Sequence, residues 1–239
     1  MPSYFKALQD LLFPPACLGC ERRLDSSQPP LLCGDCLGAL AEISSPVCPG
    51  CGLPFANGAD HLCGDCLTGC YAFDLARALF VYQPPVSALI LGLKFSTSLT
   101  GLATLGALAG RSECLRLFAE PEVIAPVPLH SGRLRTRGFN QSLLVARSCF
   151  PQWRTRITPS LLLRRRPTTP QAHLSGKERR TNLKDAFILS MPASVQGKRV
   201  LLIDDVFTTG STVNECSKVL RAGGATRIEV FTLARSLSR

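Results

Sequence analysis

Eight of the twelve cysteines in this 239-residue chain fall into four C-x-x-C pairs within its first 66 residues. Such a pair spans one tight turn, so its two sulfurs face the same point, and two pairs complete a tetrahedron around a zinc ion. Cys17-Leu-Gly-Cys20 is followed after twelve residues by Cys33-Gly-Asp-Cys36, and Cys48-Pro-Gly-Cys51 after eleven by Cys63-Gly-Asp-Cys66. The near copies LLCGDCL and HLCGDCL mark two successive units. Cys17, Cys20, Cys33 and Cys36 form one candidate ligand set, and Cys48, Cys51, Cys63 and Cys66 the other. Spacing leaves open an interleaved pairing or a single occupied site, hence one or two structural Zn²⁺. His61 and Cys70 lie nearby, but two complete sets of four leave them no vacancy.

Cysteine usage also bears on compartment. The opening run MPSYFKALQDLLFPPAC lacks the basic start, long apolar stretch and small-residue cleavage site of an export signal, which predicts a cytoplasmic location. In a reducing compartment, four such pairs favour metal over disulfides. The stretch from Val86 to Gly110 is interrupted by Lys94 and four glycines, so no membrane insertion is expected.

The cysteine pairs stop near residue 70, where apolar strand and helix patterns begin; the expected domains are 1–70 and 71–239. Ala76–Tyr82 reads as a strand, and Val86, Leu89, Ile90 and Leu93 share one helical face behind Pro84-Pro85. Val123–Leu129 reads as a buried strand followed by a basic loop, His130–Arg137, and then a helix with Phe139, Leu143, Ala146 and Phe150 at helical spacing. Leu161–Leu163 and Ala186–Leu189 are short strands, and Thr168–Asn182 is a polar loop. Val200–Ile203, Ser211–Arg221 and Ile228–Leu233 make a β-α-β unit, so the larger domain is α/β with a parallel sheet. Cys114, Cys149 and Cys216 fall in helical patterns as buried apolar residues.

Charge is strongly localised. Between Ser131 and Arg180 stand twelve Arg or Lys and one acid, Glu178; that segment carries +11 of a net +10, so the other 189 residues sum to −1. An anionic partner is expected, either a polyphosphate ligand or nucleic acid.

The run VLLIDDVFTTGST, Val200 to Thr212, specifies where an anion would sit. A buried strand ends in Asp204 and Asp205, and a short turn leads into a helix whose first amides are unpaired. Gly210 lets the backbone approach, while Thr208, Thr209, Ser211 and Thr212 offer amides and hydroxyls to a phosphate favoured by the helix dipole. A P-loop NTPase is excluded, since G-x-x-x-x-G-K-[ST] occurs nowhere in the chain. An EF-hand lacks its ligand spacing.

The run LLIDDVFTTGST resembles the phosphoribosyl-pyrophosphate (PRPP) signature of type I phosphoribosyltransferases. With APVPLHSGRLRTRGFNQ, QAHLSGKERRTNLKDAF and the cysteine pairs, the chain resembles the ComF family, ComFC-like and GntX-like proteins included, over nearly its whole length. That resemblance implies a type I phosphoribosyltransferase-like parallel sheet flanked by helices, preceded by a small double zinc ribbon. It implies that Asp204 and Asp205 hold the ribose 2- and 3-hydroxyls and that Thr208 to Thr212 bind the 5-phosphate. Pyrophosphate with Mg²⁺ would lie near Arg133, Arg135, Arg137 and Gly138, and a mobile loop carrying Arg164, Lys177, Arg179 and Arg180 would close over the reacting centre. The family also brings a context of DNA uptake, natural competence and use of DNA as nutrient. The alternative for the same arginines is a non-catalytic protein that engages single-stranded DNA or a competence-machinery partner. Nothing in the sequence identifies an acceptor.

Overall fold

A computed structural model describes residues 14–95, 99–166, 183 and 185–237. Its cysteine region is built from paired knuckles. Ala16 bridges Arg23, and Val47 bridges Pro54, each antiparallel, so C-x-x-C turns sit at the tips of two small hairpins. The second pair of each unit opens a short helix rather than a bare turn: α1, Gly34–Gly38, begins at Cys33 and α2, Gly64–Leu67, begins at Cys63.

The larger unit is a four-stranded parallel sheet of order β1-β6-β5-β2, made of β1 (Leu75–Val81), β2 (Val123–Pro126), β5 (Arg199–Phe207) and β6 (Arg227–Arg235). Helices α3 (Val86–Phe95), α4 (Leu99–Arg111), α5 (Ser131–Arg137), α6 (Gln141–Cys149) and α7 (Ser211–Ala222) surround it. A separate antiparallel pair, β3 (Leu162–Arg164) with β4 (Phe187–Leu189), packs beside it.

The central strands are buried almost continuously, as a sheet covered on both faces requires, and their side chains alternate between two cores with period 2. Leu201 and Ile203 of β5 join Phe231 and Leu233 of β6 in one core, with Leu89, Ile90, Leu105, Val145 and Phe150 from the helices. Val200 and Leu202 join Ile228 and Val230 in a second core, with Val213, Cys216 and Leu220 of α7. Both cores extend into the cysteine region: Cys17 and Cys33 pack in the first, Cys48, Cys51 and Cys63 in the second. That region also covers an exposed edge of the sheet. Ile43 N–H donates to Leu79 O and Val81 N–H to Ala41 O, an antiparallel addition to the edge strand β1 that blocks pairing with another chain.

Several boundaries differ from the sequence reading. Strand β2 stops at Pro126, not Leu129, although Val127 N–H still donates to Ile203 O. The basic loop after it is a helix, α5, because His130 Nδ1 accepts from Gly132 N–H at its start and Gly138, at φ +76°, caps its end. Strand β5 continues through both aspartates to Phe207, since β6 supplies partners up to Arg235. In α6 the buried face is Gln141, Ser142, Val145, Ala146 and Cys149, so Phe139 and Leu143 are only half-buried. Cys114, Cys149 and Cys216 are buried, as their helical positions imply. Among the described residues, no helix is long and apolar enough to cross a membrane.

Candidate functional site

Each set of four cysteines read from spacing converges: the sulfurs of Cys17, Cys20, Cys33 and Cys36 lie within 4.8 Å of one another, and so do those of Cys48, Cys51, Cys63 and Cys66. Backbone amides aim at the first sulfur of each set. Gly19 and Cys33 N–H donate to Cys17 Sγ at 3.4 and 3.3 Å, and Cys51 and Cys63 N–H donate to Cys48 Sγ at 3.5 and 3.4 Å. Donors of that kind suit metal-bound thiolates, so the residues fit zinc. The C-x-G-C glycine is needed for space, since a Cβ on Gly50 would stand 3.0 Å from Cys66 Sγ. The two sets differ in depth: Cys20 is exposed, whereas Cys48 and Cys51 are 0% and 1% exposed. His61 belongs to neither set and stacks on Phe55 with ring centroids 3.8 Å apart.

Strand β5 delivers Asp204 and Asp205 to the carboxyl edge of the sheet, the end at which open parallel sheets take ligands. Asp204 is held in place. Its Oδ1 accepts from Ser142 Oγ at 3.1 Å and from Asp205 N–H at 2.9 Å. Ser142 is itself placed by Asn140, whose Oδ1 accepts from Ser142 N–H at 3.0 Å and whose Nδ2 donates to Val127 O at 3.0 Å. This ties the start of α6 to the ends of β2 and β5.

The turn from Thr208 to Gly210 then reverses the chain into α7. Gly210 adopts φ +73°, and a Cβ there would stand 2.5 Å from Phe207 Cζ, so both backbone hand and space demand glycine. Thr209 Oγ1 lies 2.8 Å from Ser211 Oγ, which sets two hydroxyls side by side. The N-cap of α7, Gly210, has no side chain to cap it, while Thr209 Oγ1 accepts from Ser211 N–H at 3.4 Å. From below, Ala72 N–H donates to Asn214 Oδ1 at 2.8 Å and Asn214 Nδ2 to Cys70 O at 3.0 Å, which fastens α7 to the chain leaving the second cysteine set.

Arginines close the third side. Burial holds the Arg137 guanidinium below its ordinary value, Asp205 pulls it up, and Arg133 pushes it down. Arg164 is lowered by burial first and then by Arg133, against the pull of Cys216 and Asp204. Its guanidinium also lies 5.4 Å from the centre of the Phe187 ring. Arg137 thus lies in the field of Asp205 and Arg164 in that of Asp204, while Arg133 repels both guanidiniums, a repulsion that a bound anion relieves. Arg135 is exposed and, among the described residues, no contact ties it to either aspartate. Gly138 serves as the left-handed cap of α5, its N–H donating to Leu134 O at 2.8 Å. Lys177, Arg179 and Arg180 lie outside the described residues.

Ser142, Asn140, Asn214, Tyr71 and Arg235 were not singled out by sequence reasoning. Asn140 carries a recognisable signal, an Asn just before a helical run. The others contact partners up to 184 residues away, and no local pattern marks them.

Residues 8–67 match the family described as double zinc ribbon domain, and residues 164–239 that described as phosphoribosyl transferase domain. DNA utilization protein YhgH of Escherichia coli (strain K12) is 37% identical over 214 residues, 86% of this chain and 91% of the relative. Competence protein F of Haemophilus influenzae is 38% identical over 212 residues, 85% of this chain and 91% of the relative. Competence protein ComFC of Streptococcus pneumoniae is 27% identical over 207 residues, 85% of this chain and 87% of the relative. Among solved structures, the glutamine PRPP amidotransferase from B. subtilis complexed with ADP and GMP aligns at TM-score 0.34 and 22% identity, covering 55% of this chain and 25% of that one.

Proposed function

We propose, for a chain that belongs to the ComF family of double zinc ribbon and phosphoribosyltransferase proteins, that the carboxyl edge of its sheet binds Mg-PRPP. The observation that carries this reading is that Asp204 and Asp205 end beside the Gly210 start of α7, with Arg137 in the field of Asp205 and Arg164 in that of Asp204.

In this reading Asp204 and Asp205 accept hydrogen bonds from the ribose 2- and 3-hydroxyls, with Ser142 and the Asp205 amide holding the Asp204 carboxylate at a fixed angle. Thr208, Thr209, Gly210, Ser211 and Thr212 receive the 5-phosphate on amides and hydroxyls at the positive end of α7. Arg133 and Arg137, with the backbone at Gly138, face the pyrophosphate; Arg164 approaches from β3, and Lys177, Arg179 and Arg180, which lie outside the described residues, are assigned to the same anion. Mg²⁺ supplies charge neutralisation on the pyrophosphate oxygens. As the bond from C1 to pyrophosphate lengthens, negative charge grows on the departing group, and guanidiniums already desolvated beside it stabilise that charge. Cys17, Cys20, Cys33 and Cys36 would hold one structural zinc ion and Cys48, Cys51, Cys63 and Cys66 another, each cross-linking its ribbon.

The names of the relatives support a role in DNA utilisation or competence, and the matched phosphoribosyl transferase domain supports phosphoribosyl transfer to an acceptor as the reaction. Calorimetric titration of zinc-loaded protein with PRPP and Mg²⁺ tests the site. Binding is expected, and Asp204→Asn with Asp205→Asn is expected to abolish it without loss of zinc; binding that survives both substitutions overturns the assignment. The exposed Arg135 favours a second reading, a salt-sensitive interaction with single-stranded DNA. That reading predicts DNA affinity that falls steeply with salt and survives the two Asn substitutions.

A further inference from the structure

Arg235 closes β6 with only 6% of its surface exposed, and among the described residues no carboxylate pairs with it. A guanidinium keeps its charge at physiological pH, so burying one calls for a compensating anion. Its Nη1 donates to Cys51 O at 2.7 Å, and its Nη2 lies 3.7 Å from Cys51 Sγ. Zinc held by four thiolates is net dianionic, and Cys51 belongs to such a set; the second cluster thus supplies the missing charge.

The same guanidinium lies over the Phe207 ring, 4.3 Å from its centre, because the parallel register pairs Phe207 with Arg235. Phe207 in turn fills the space beside Gly210, leaving no room for a Cβ. A second tie runs alongside. The Tyr71 hydroxyl lies within 3.5 Å of Asp65 Oδ2, inside the Cys63–Cys66 knuckle, and within 3.4 Å of Thr209 O. The first cluster has neither link: Cys20 is exposed, and the nearby Arg22 is paired with Asp35 at 2.6 Å on the surface.

We infer that Arg235 and Phe207 are positioning residues of the Thr208–Thr212 turn and that metal in the second cluster, not the first, holds them in that role. The inference rests on the reading that this turn receives phosphate, and it makes one ribbon part of the ligand site while leaving the other to fold and packing.

The test uses the full chain, with zinc content measured for every variant, and reads two quantities: hydrogen exchange across residues 208–212 and calorimetric affinity for ribose 5-phosphate. Arg235→Met and Cys66→Ser are expected to raise turn exchange and to weaken ribose 5-phosphate, each about tenfold, with exchange in Val200–Ile203 unchanged. Cys20→Ser is expected to cost one zinc and leave both readouts as in the native chain. Arg235→Lys, which keeps the charge but not the flat face over Phe207, is expected to fall between Met and native. Unchanged turn exchange in Arg235→Met, or equal loosening in Cys20→Ser, overturns the inference. Should Cys66→Ser fail to fold, the Met and Lys variants decide it. If native protein binds no ribose 5-phosphate, the phosphate reading fails, while the exchange contrast still decides the coupling.

Discussion

Replacing Gly210 by Ala separates two costs that the turn imposes on its backbone. At φ +73° an L-residue is disfavoured by about 1–2 kcal/mol, whatever the space around it. The new Cβ would also stand 2.5 and 2.9 Å from Phe207 Cζ and Cε1 and 3.0 Å from Tyr71 Cε1. Neither ring can easily yield. Phe207 is 2% exposed and lies beneath Arg235 and edge-on to Phe73, while Tyr71 stacks on Phe73 with centroids 4.7 Å apart. Overpacking of this kind adds about 1–3 kcal/mol, for a total of about 2–5 kcal/mol. Gly138 is the matched control, since it adopts φ +76° with nothing within 4 Å of a built Cβ. Gly138→Ala therefore carries only the conformational cost, about 1–2 kcal/mol. Urea unfolding of the zinc-loaded protein, followed by circular dichroism, gives both differences, with m expected to stay constant. Phe207→Leu in the Gly210→Ala background should recover part of the loss by giving the methyl somewhere to go. Equal losses for Gly210→Ala and Gly138→Ala would falsify the packing argument, and with it the claim that Phe207 shapes the turn.

Ser142→Ala deletes a donor to Asp204 Oδ1 and is expected to weaken PRPP about tenfold by calorimetry, with little change in unfolding midpoint. An unaltered affinity would show that Asp204 needs no such support. Glu229 is 4% exposed and accepts from Arg227 Nε at 2.7 Å and from Ala119 N–H at 3.0 Å, so Glu229→Ala should cost about 2 kcal/mol in urea unfolding. Two zinc ions per chain are expected by metal analysis, and a chromogenic chelator should remove them in two phases, the set containing exposed Cys20 first. A single phase would mean that the difference in burial does not govern release. Arg164→Ala should reduce PRPP affinity more than Arg135→Ala, because only Arg164 sits in the field of Asp204; the reverse order in paired titrations would move the pyrophosphate site elsewhere.

Much of this molecule is legible one residue after another. The eight cysteine ligands follow from C-x-x-C spacing because each knuckle is a local turn, whereas their division into successive rather than interleaved sets is seen only in the structure. Strand β5, its turn and α7 follow from an apolar run, a Thr-Thr-Gly-Ser cluster and a helical face, all features of near neighbours. The alternation of β5 and β6 side chains between two cores follows from period 2. Local reasoning erred where a cap or a neighbouring strand decides: His130 and Gly138 turn the basic loop into α5, and β6 carries β5 past the aspartates.

Tertiary structure alone decided which of these pieces meet. A parallel sheet of order β1-β6-β5-β2 joins segments far apart in the chain, and its register is recorded in no one-dimensional pattern. That register sets Arg235 beside Phe207, sheet and helix packing bring Ser142 to Asp204, and Arg137 and Arg164, from two elements, come into the field of the aspartates. Side-chain periodicity specifies which face a residue presents; which distant charge or ring it then faces depends on strand order and on the burial that order imposes.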